Sequence, residues 1–309
     1  MDEKEILGAI LSGKMSAREA LGTGAARTLA KTAYAYSQQL FEFAKGRLVQ
    51  FLTSSPSQNE NEGVFVGIFL RMYLWMESLV ALNKNTHIQG VAVSLRALFE
   101  LFLDLKILDE DKTGECYKKY IAFSEIEMFR EGSKRVQFFE QNFPKNTEKY
   151  FIQKQFITNS ERINRITSNL KQFWAIDDIK GIGSLKHWTK KHARDRAAQV
   201  GIEYEEIYIE FYQRLSQIVH GSGLEFFRKL DKEQFEAYYA YCHQTAQRVF
   251  IEAMKIVAKK MKLDKAWEHE DFFKRLDELK NENMGTFLIN IIEELESKKN
   301  KSEPVGKKP

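Results

Sequence analysis

Hydrophobic positions recur at helical spacing along almost the whole chain. Near the N-terminus, Leu29, Ala33, Tyr36, Leu40, Phe43 and Leu48 fall at intervals of three to five residues, the recurrence expected of an amphipathic helix. Met1–Leu52 reads as two helices, and the polar Thr53–Gly63 stretch with Pro56 reads as a linker. Two strongly apolar helices are predicted over 63–83 and 87–108, joined by Asn-Lys-Asn-Thr. A charged, aromatic helical segment covers 110–172 and breaks near Pro144. The loop Phe173–Ser184 leads to a basic helix predicted over 186–199 and another over 203–220, which stops at Gly221-Ser222-Gly223. A long helix over 231–262 and shorter ones over 265–281 and 285–298 complete the pattern. The fold class this predicts is all-α, a multi-helix bundle with a central antiparallel pair of apolar helices. Residues 60–262 form its core domain, flanked by N-terminal helices and a linker (1–59), C-terminal helices (263–300) and a basic, disordered tail (301–309).

Composition sharpens this picture. Only four prolines occur in 309 residues, two of them in the tail, which disfavours a disordered chain or a turn-rich β-sandwich. Two cysteines cannot make a disulfide framework, and the acidic start MDEKEIL has no secretory pattern, so the expected location is the cytoplasm. Gly63–Leu82 has the length of a membrane span but carries Arg71 and Glu77. Each charge costs about 2.5–3.5 kcal/mol near the centre of a span, so a buried helix and no membrane are expected. The net charge of +4 is compatible with nucleic acid without requiring it.

Between Ala92 and Leu108 the polar side chains are Ser94, Arg96, Glu100, Asp104 and Lys106. Arg96, Glu100 and Asp104 recur every four residues and form one stripe on an otherwise apolar helix. Such a stripe needs a polar cavity, a partner charge or a subunit interface; it is either a packing pair or the wall of a functional pocket. Tyr212, Ser216 and His220 also recur every four residues. His220 sits just before Gly221, where a helix dipole favours a protonated imidazole by about 0.3–1 kcal/mol. It is either a helix-end residue or a general acid–base group.

Arg214 and His220, with five residues between them, resemble the R-x(4–6)-H pattern of HEPN ribonucleases, although Leu215 stands where that family usually has a polar residue. More broadly, SLRALFELFLDLKIL (Ser94–Leu108), HWTKKHARDRAAQVG (His187–Gly201) and YQRLSQIVHGS (Tyr212–Ser222) resemble a bacterial all-helical family, domain of unknown function 5677. The matching positions are Arg96, Leu98 and Glu100; Trp188; and Tyr212, Leu215, Ser216, Val219 and His220. The resemblance covers roughly residues 60–260 and implies no settled activity, the link to HEPN-type ribonucleases in bacterial defence being an inference.

Leu185–Ala198 carries Lys186, Lys190, Lys191, Arg194 and Arg196 against a single acid, Asp195, with Trp188 among them. It is either an RNA-binding helix, gripping phosphates while Trp188 stacks a base, or a solvated face with Trp188 in the core. No metal-ligand spacing, phosphate loop or dinucleotide fingerprint occurs, so no cofactor or metal is expected. The function expected is a metal-independent, HEPN-like endoribonuclease or toxin. Its catalytic set is His220, Arg214, Arg96, Glu100, Ser216 and Tyr212, and its partners are RNA and a second copy or a defence protein. The alternative is a non-enzymatic interaction or regulatory module.

Overall fold

In the computed structural model, residues 25–55, 57, 59–142, 148–212, 232–263 and 272–279 are described. Among them the chain is all-α, with eleven helices and no strand. They fall into two compact units, one from the two ends of the chain (up to Lys106 and from Glu206), the other from Ile107–Glu205. Residues 60–262, expected as the core domain, contribute to both units.

In the first unit, α1 (Ala25–Phe43) runs through a π-helical turn (Ala44–Val49) into α2 (Gln50–Ser54). After a short linker, α3 (Glu60–Ala81) starts at Asn59, whose side chain accepts from the Glu62 amide at 3.0 Å. Its buried stripe is Phe65, Ile68, Phe69, Met72, Met76 and Leu79, leaving Arg71 and Glu77 exposed. α3 is long and apolar enough to cross a membrane by length and composition. Here that stripe packs on α10 (Lys232–Lys260), with Phe69 and Phe250 stacked at 5.5 Å. α10 lies along α1 and supplies hydroxyl donors to the end of α3: Tyr239 bonds the Leu82 carbonyl at 2.8 Å, joined by Tyr34 of α1 on Val80 at 3.1 Å. These satisfy carbonyls that a helix end leaves without partners.

α4 (Ile88–Glu110) follows, buried on most sides through Val91, Ala92, Leu95, Leu98, Phe99 and Phe102, as its all-round apolar sequence predicts. A buried polar group ties α10 to α1: His243 Nδ1 lies 2.8 Å from Ser37 Oγ, and Gln247 donates to Ser37 Oγ and to the Ala33 carbonyl.

The second unit is built on α5 (Cys116–Asn142), packed against α6 (Glu148–Thr158) and α7 (Ser160–Trp174). Gly132 permits the close approach of α6, since a β-carbon there would lie 3.1 Å from Ile157. Arg162 and Arg165 of α7 converge on Glu125, and Tyr150 and Lys154 of α6 on Glu140. Arg130 clasps the loop after α7 through the Ile182 and Leu185 carbonyls.

The basic segment departs from its expected helix. Only Ala193–Val200 (α8) is helical, and residues 186–192 are irregular. The Trp188 carbonyl, which a helix would use four residues on, instead accepts from the Trp174 indole N–H at 2.8 Å. His187 Nδ1 takes the Thr189 amide and Thr189 Oγ1 the Lys191 amide, local bonds that compete with helix formation. Of the helix expected over 203–220, the described part is α-helical over Ile202–Ile207 (α9) and then forms a π-helical turn, Tyr208–Tyr212. Residues 213–220, the first predicted helix and the one over 285–298 lie outside the described residues.

Candidate functional site

Three of the expected site residues meet in the first unit. Arg96 and Glu100 stand one turn apart on α4, and Arg96 Nε donates to Glu100 Oε1 at 3.1 Å. On an exposed helix face a pair at this spacing is worth about 0.3–0.5 kcal/mol; here both side chains are half-buried. Tyr212, more than a hundred residues later, turns it into a tertiary clamp. Its oxygen accepts from Arg96 Nε at 2.9 Å while its hydroxyl donates to Glu100 Oε1, and its ring faces the guanidinium at 5.0 Å. The π-helical turn stacks Tyr208 on Tyr212 at 4.9 Å, and Phe99 of α4 lies 6.0 Å away. Turns of this type are frequent at functional sites.

The phenol is the buried part of the cluster. Tyr212 is 7% exposed, whereas the Arg96 and Glu100 side chains keep 29% and 37% of their surface. Burial first, and then the Glu100 carboxylate, push the Tyr212 pKa far above the ordinary phenol value, so the hydroxyl stays protonated and donates. Burial pulls the Arg96 pKa down, but Tyr212 and Glu100 outweigh it and the guanidinium is held charged. The arrangement therefore presents a fixed cation at a partly open edge, oriented by a carboxylate and a phenol. Asp104, the third member of the stripe, is buried at 8% exposure. Arg214, Ser216 and His220 lie outside the described residues.

In the second unit the basic residues separate into two groups. Lys186, Lys190, Lys191 and Arg194 are exposed. Lys191 donates to Gln199 at 2.8 Å and Arg194 pairs with Glu205 at 3.5 Å. Trp188 and Arg196, also expected to bind RNA, are 2% and 3% exposed. The Trp188 ring is packed edge-on against Tyr120 at 5.7 Å and is not available to stack a base; both residues are corrected from RNA contacts to core. Sequence reasoning missed Lys119, whose ammonium lies 5.7 Å from the Trp174 ring centre. It also missed the His243–Ser37–Gln247 group, signalled only by two polar residues one turn apart on an apolar helix face. Among the described residues no three His, Cys, Asp or Glu side chains gather at metal-binding distance.

No curated protein and no solved structure matches this chain. A family match does exist, and it spans residues 62–237, more than half of the chain, including all of α4, the basic segment and Tyr212. The chain belongs to the family described as Family of unknown function (DUF5677).

Proposed function

We propose that this protein is a metal-independent, HEPN-like endoribonuclease acting as a cytoplasmic toxin in bacterial defence. The observation that carries the reading is the closure of Tyr212 onto Arg96 and Glu100. It brings Tyr212, the first residue of the second motif, onto the Ser94–Leu108 helix at one charged cluster. In the proposed reaction His220 takes the proton of a ribose 2′-OH as general base, or protonates the leaving 5′-oxygen as general acid. The 2′-oxygen attacks the adjacent phosphorus and the bond to the 5′-oxygen breaks, giving a 2′,3′-cyclic phosphate and a 5′-hydroxyl. Arg96, with Arg214, stabilises the charge that develops on the phosphate. Glu100 and Tyr212 orient Arg96, and Ser216 positions His220. Lys186, Lys190, Lys191 and Arg194 supply phosphate contacts on the other unit.

The test is cleavage of single-stranded RNA by the full chain in the presence of a chelator. His220→Ala is expected to abolish cleavage with the melting temperature nearly unchanged. A folded, fully active His220→Ala protein contradicts the reading.

One observation favours a second reading. Arg96 Nε is already shared between two acceptors inside the protein, as in a polar network that fixes the packing of an interaction module. In that case a second copy or a defence protein is the partner. Arg96→Met then lowers stability, and RNA is neither bound nor cut.

A further inference from the structure

Trp174 gathers two lysines that no carboxylate among the described residues compensates. Its carbonyl accepts from Lys190 Nζ at 2.5 Å, and the Lys119 ammonium faces its indole at 5.7 Å. Among the described residues neither lysine forms an ion pair, and the Lys119 ammonium has no hydrogen-bond acceptor. Lys190 reaches Trp174 from a left-handed backbone, φ +60°. That conformation is uncommon for a residue with a side chain, and strain of this kind clusters at ligand clamps. The end of α7 is unusual too, since Ala175 is left-handed at φ 52° and both turns are made without glycine.

A cap on the end of α7 accounts for Lys190 alone. It does not explain why Lys119, half-buried on α5, is held beside the same tryptophan. Burial, and then the neighbouring Lys190 charge, lower the Lys119 pKa, with the Cys116 thiol opposing them. Among the described residues the two like charges, one of them partly desolvated, are met by a helix-end carbonyl and an indole face and by no carboxylate. An arrangement of that kind costs stability unless an anion completes it.

We propose that Lys119 and Lys190, both anchored on Trp174, form a phosphate-binding site on the Ile107–Glu205 unit. An ammonium has three N–H donors, so Lys119 offers three and Lys190 the two it does not spend on the Trp174 carbonyl. Trp174 is 2% exposed and therefore serves as the floor of the site, not as a stacking platform. Recognition is by charge and not by base, and the phosphate comes either from an RNA strand or from a small phosphorylated molecule. The site uses neither Arg96 nor His220; it shares Lys190 with the phosphate contacts of the nuclease reading, and in its RNA arm it rests on that reading. Its test measures binding, which fails or succeeds independently of cleavage.

The experiment titrates the full chain with inorganic phosphate by calorimetry and with a short single-stranded RNA by filter binding, at several salt concentrations. Wild type, Lys119→Met and Lys119→Gln are compared, with melting temperatures recorded. Both variants are expected to melt at or above the wild-type temperature while affinity falls at least about tenfold, as for a charge kept for a ligand and not for the fold. On RNA the log K against log salt slope should flatten by about 0.7 per lost contact. Tight binding of free phosphate identifies a small phosphorylated ligand; binding of RNA alone identifies a strand contact. A wild-type protein that binds neither overturns the proposal. So do Lys119 variants that lower the melting temperature while binding as tightly as wild type.

Discussion

The two charged regions of this protein are built on opposite terms. In the first unit Arg96 is compensated at once: a carboxylate one turn away and a phenol from a distant segment share its Nε hydrogen. In the second unit Lys119 and Lys190 are gathered on Trp174 with no such carboxylate among the described residues. A compensated cation belongs to the fold even when it also serves chemistry, because removing one partner strands the others. A cation without a carboxylate partner adds little to the fold, a helix-end or ring contact at most, and is retained for something outside it. Mutation should therefore move stability in one region and ligand affinity in the other.

The largest expected effect comes from the buried indole beside the floor of the lysine pair, Trp188, whose carbonyl holds the Trp174 N–H. Trp188→Ala removes a fully buried indole and should cost about 3–5 kcal/mol in urea unfolding. Loss of RNA binding with unchanged stability would return Trp188 to the surface role that its sequence context suggested.

Lowering the pH acts on the first unit through His243. Burial depresses its pKa to about 3, against about 6.5 in an unfolded chain. Between these values the unfolded state binds the additional proton, so stability is full above about pH 6.5 and falls as pH drops toward 3. The slope reaches about 1.4 kcal/mol per pH unit within that window. His243→Gln should flatten that part of the profile, as read by denaturant midpoints at successive pH values. An unchanged profile would mean that the imidazole is not buried neutral.

Tyr212→Phe should cost about 1–3 kcal/mol, because Glu100 loses its phenol donor and Arg96 one acceptor in a partly buried setting. Arg96→Met in the same background should then cost less than it does alone, a coupling readable in a double-mutant cycle. Strict additivity would break the clamp. The smallest change expected in stability is that of Lys190→Met, where a helix-end interaction of about 0.3–1 kcal/mol is removed.

The helical pattern was legible because period and burial coincide. The apolar stripe of α3 and the all-round apolar α4 ended within about three residues of their expected limits. Arg96 and Glu100 were legible as a pair because their spacing of four is local. Their partner Tyr212 could be nominated from its own segment, but the contact is a tertiary fact and the π-helical turn that ends on it leaves no composition signal. The basic segment failed as a helix for the same reason. A carbonyl that the helix needs is taken by an indole fourteen residues earlier, which no window of local propensity contains. Lys119 was missed because one lysine in a charged helix looks like any other until Trp174 is placed against it.

The contrast between the two regions is tested most directly by the sign of two stability changes measured together. Urea unfolding of Tyr212→Phe and Lys119→Met, under one buffer and without phosphate, should move in different directions. The tyrosine variant unfolds at lower urea than wild type, and the lysine variant at the same or higher urea. A Lys119→Met protein destabilised as much as Tyr212→Phe would contradict the distinction between a charge held for the fold and a charge held for a ligand.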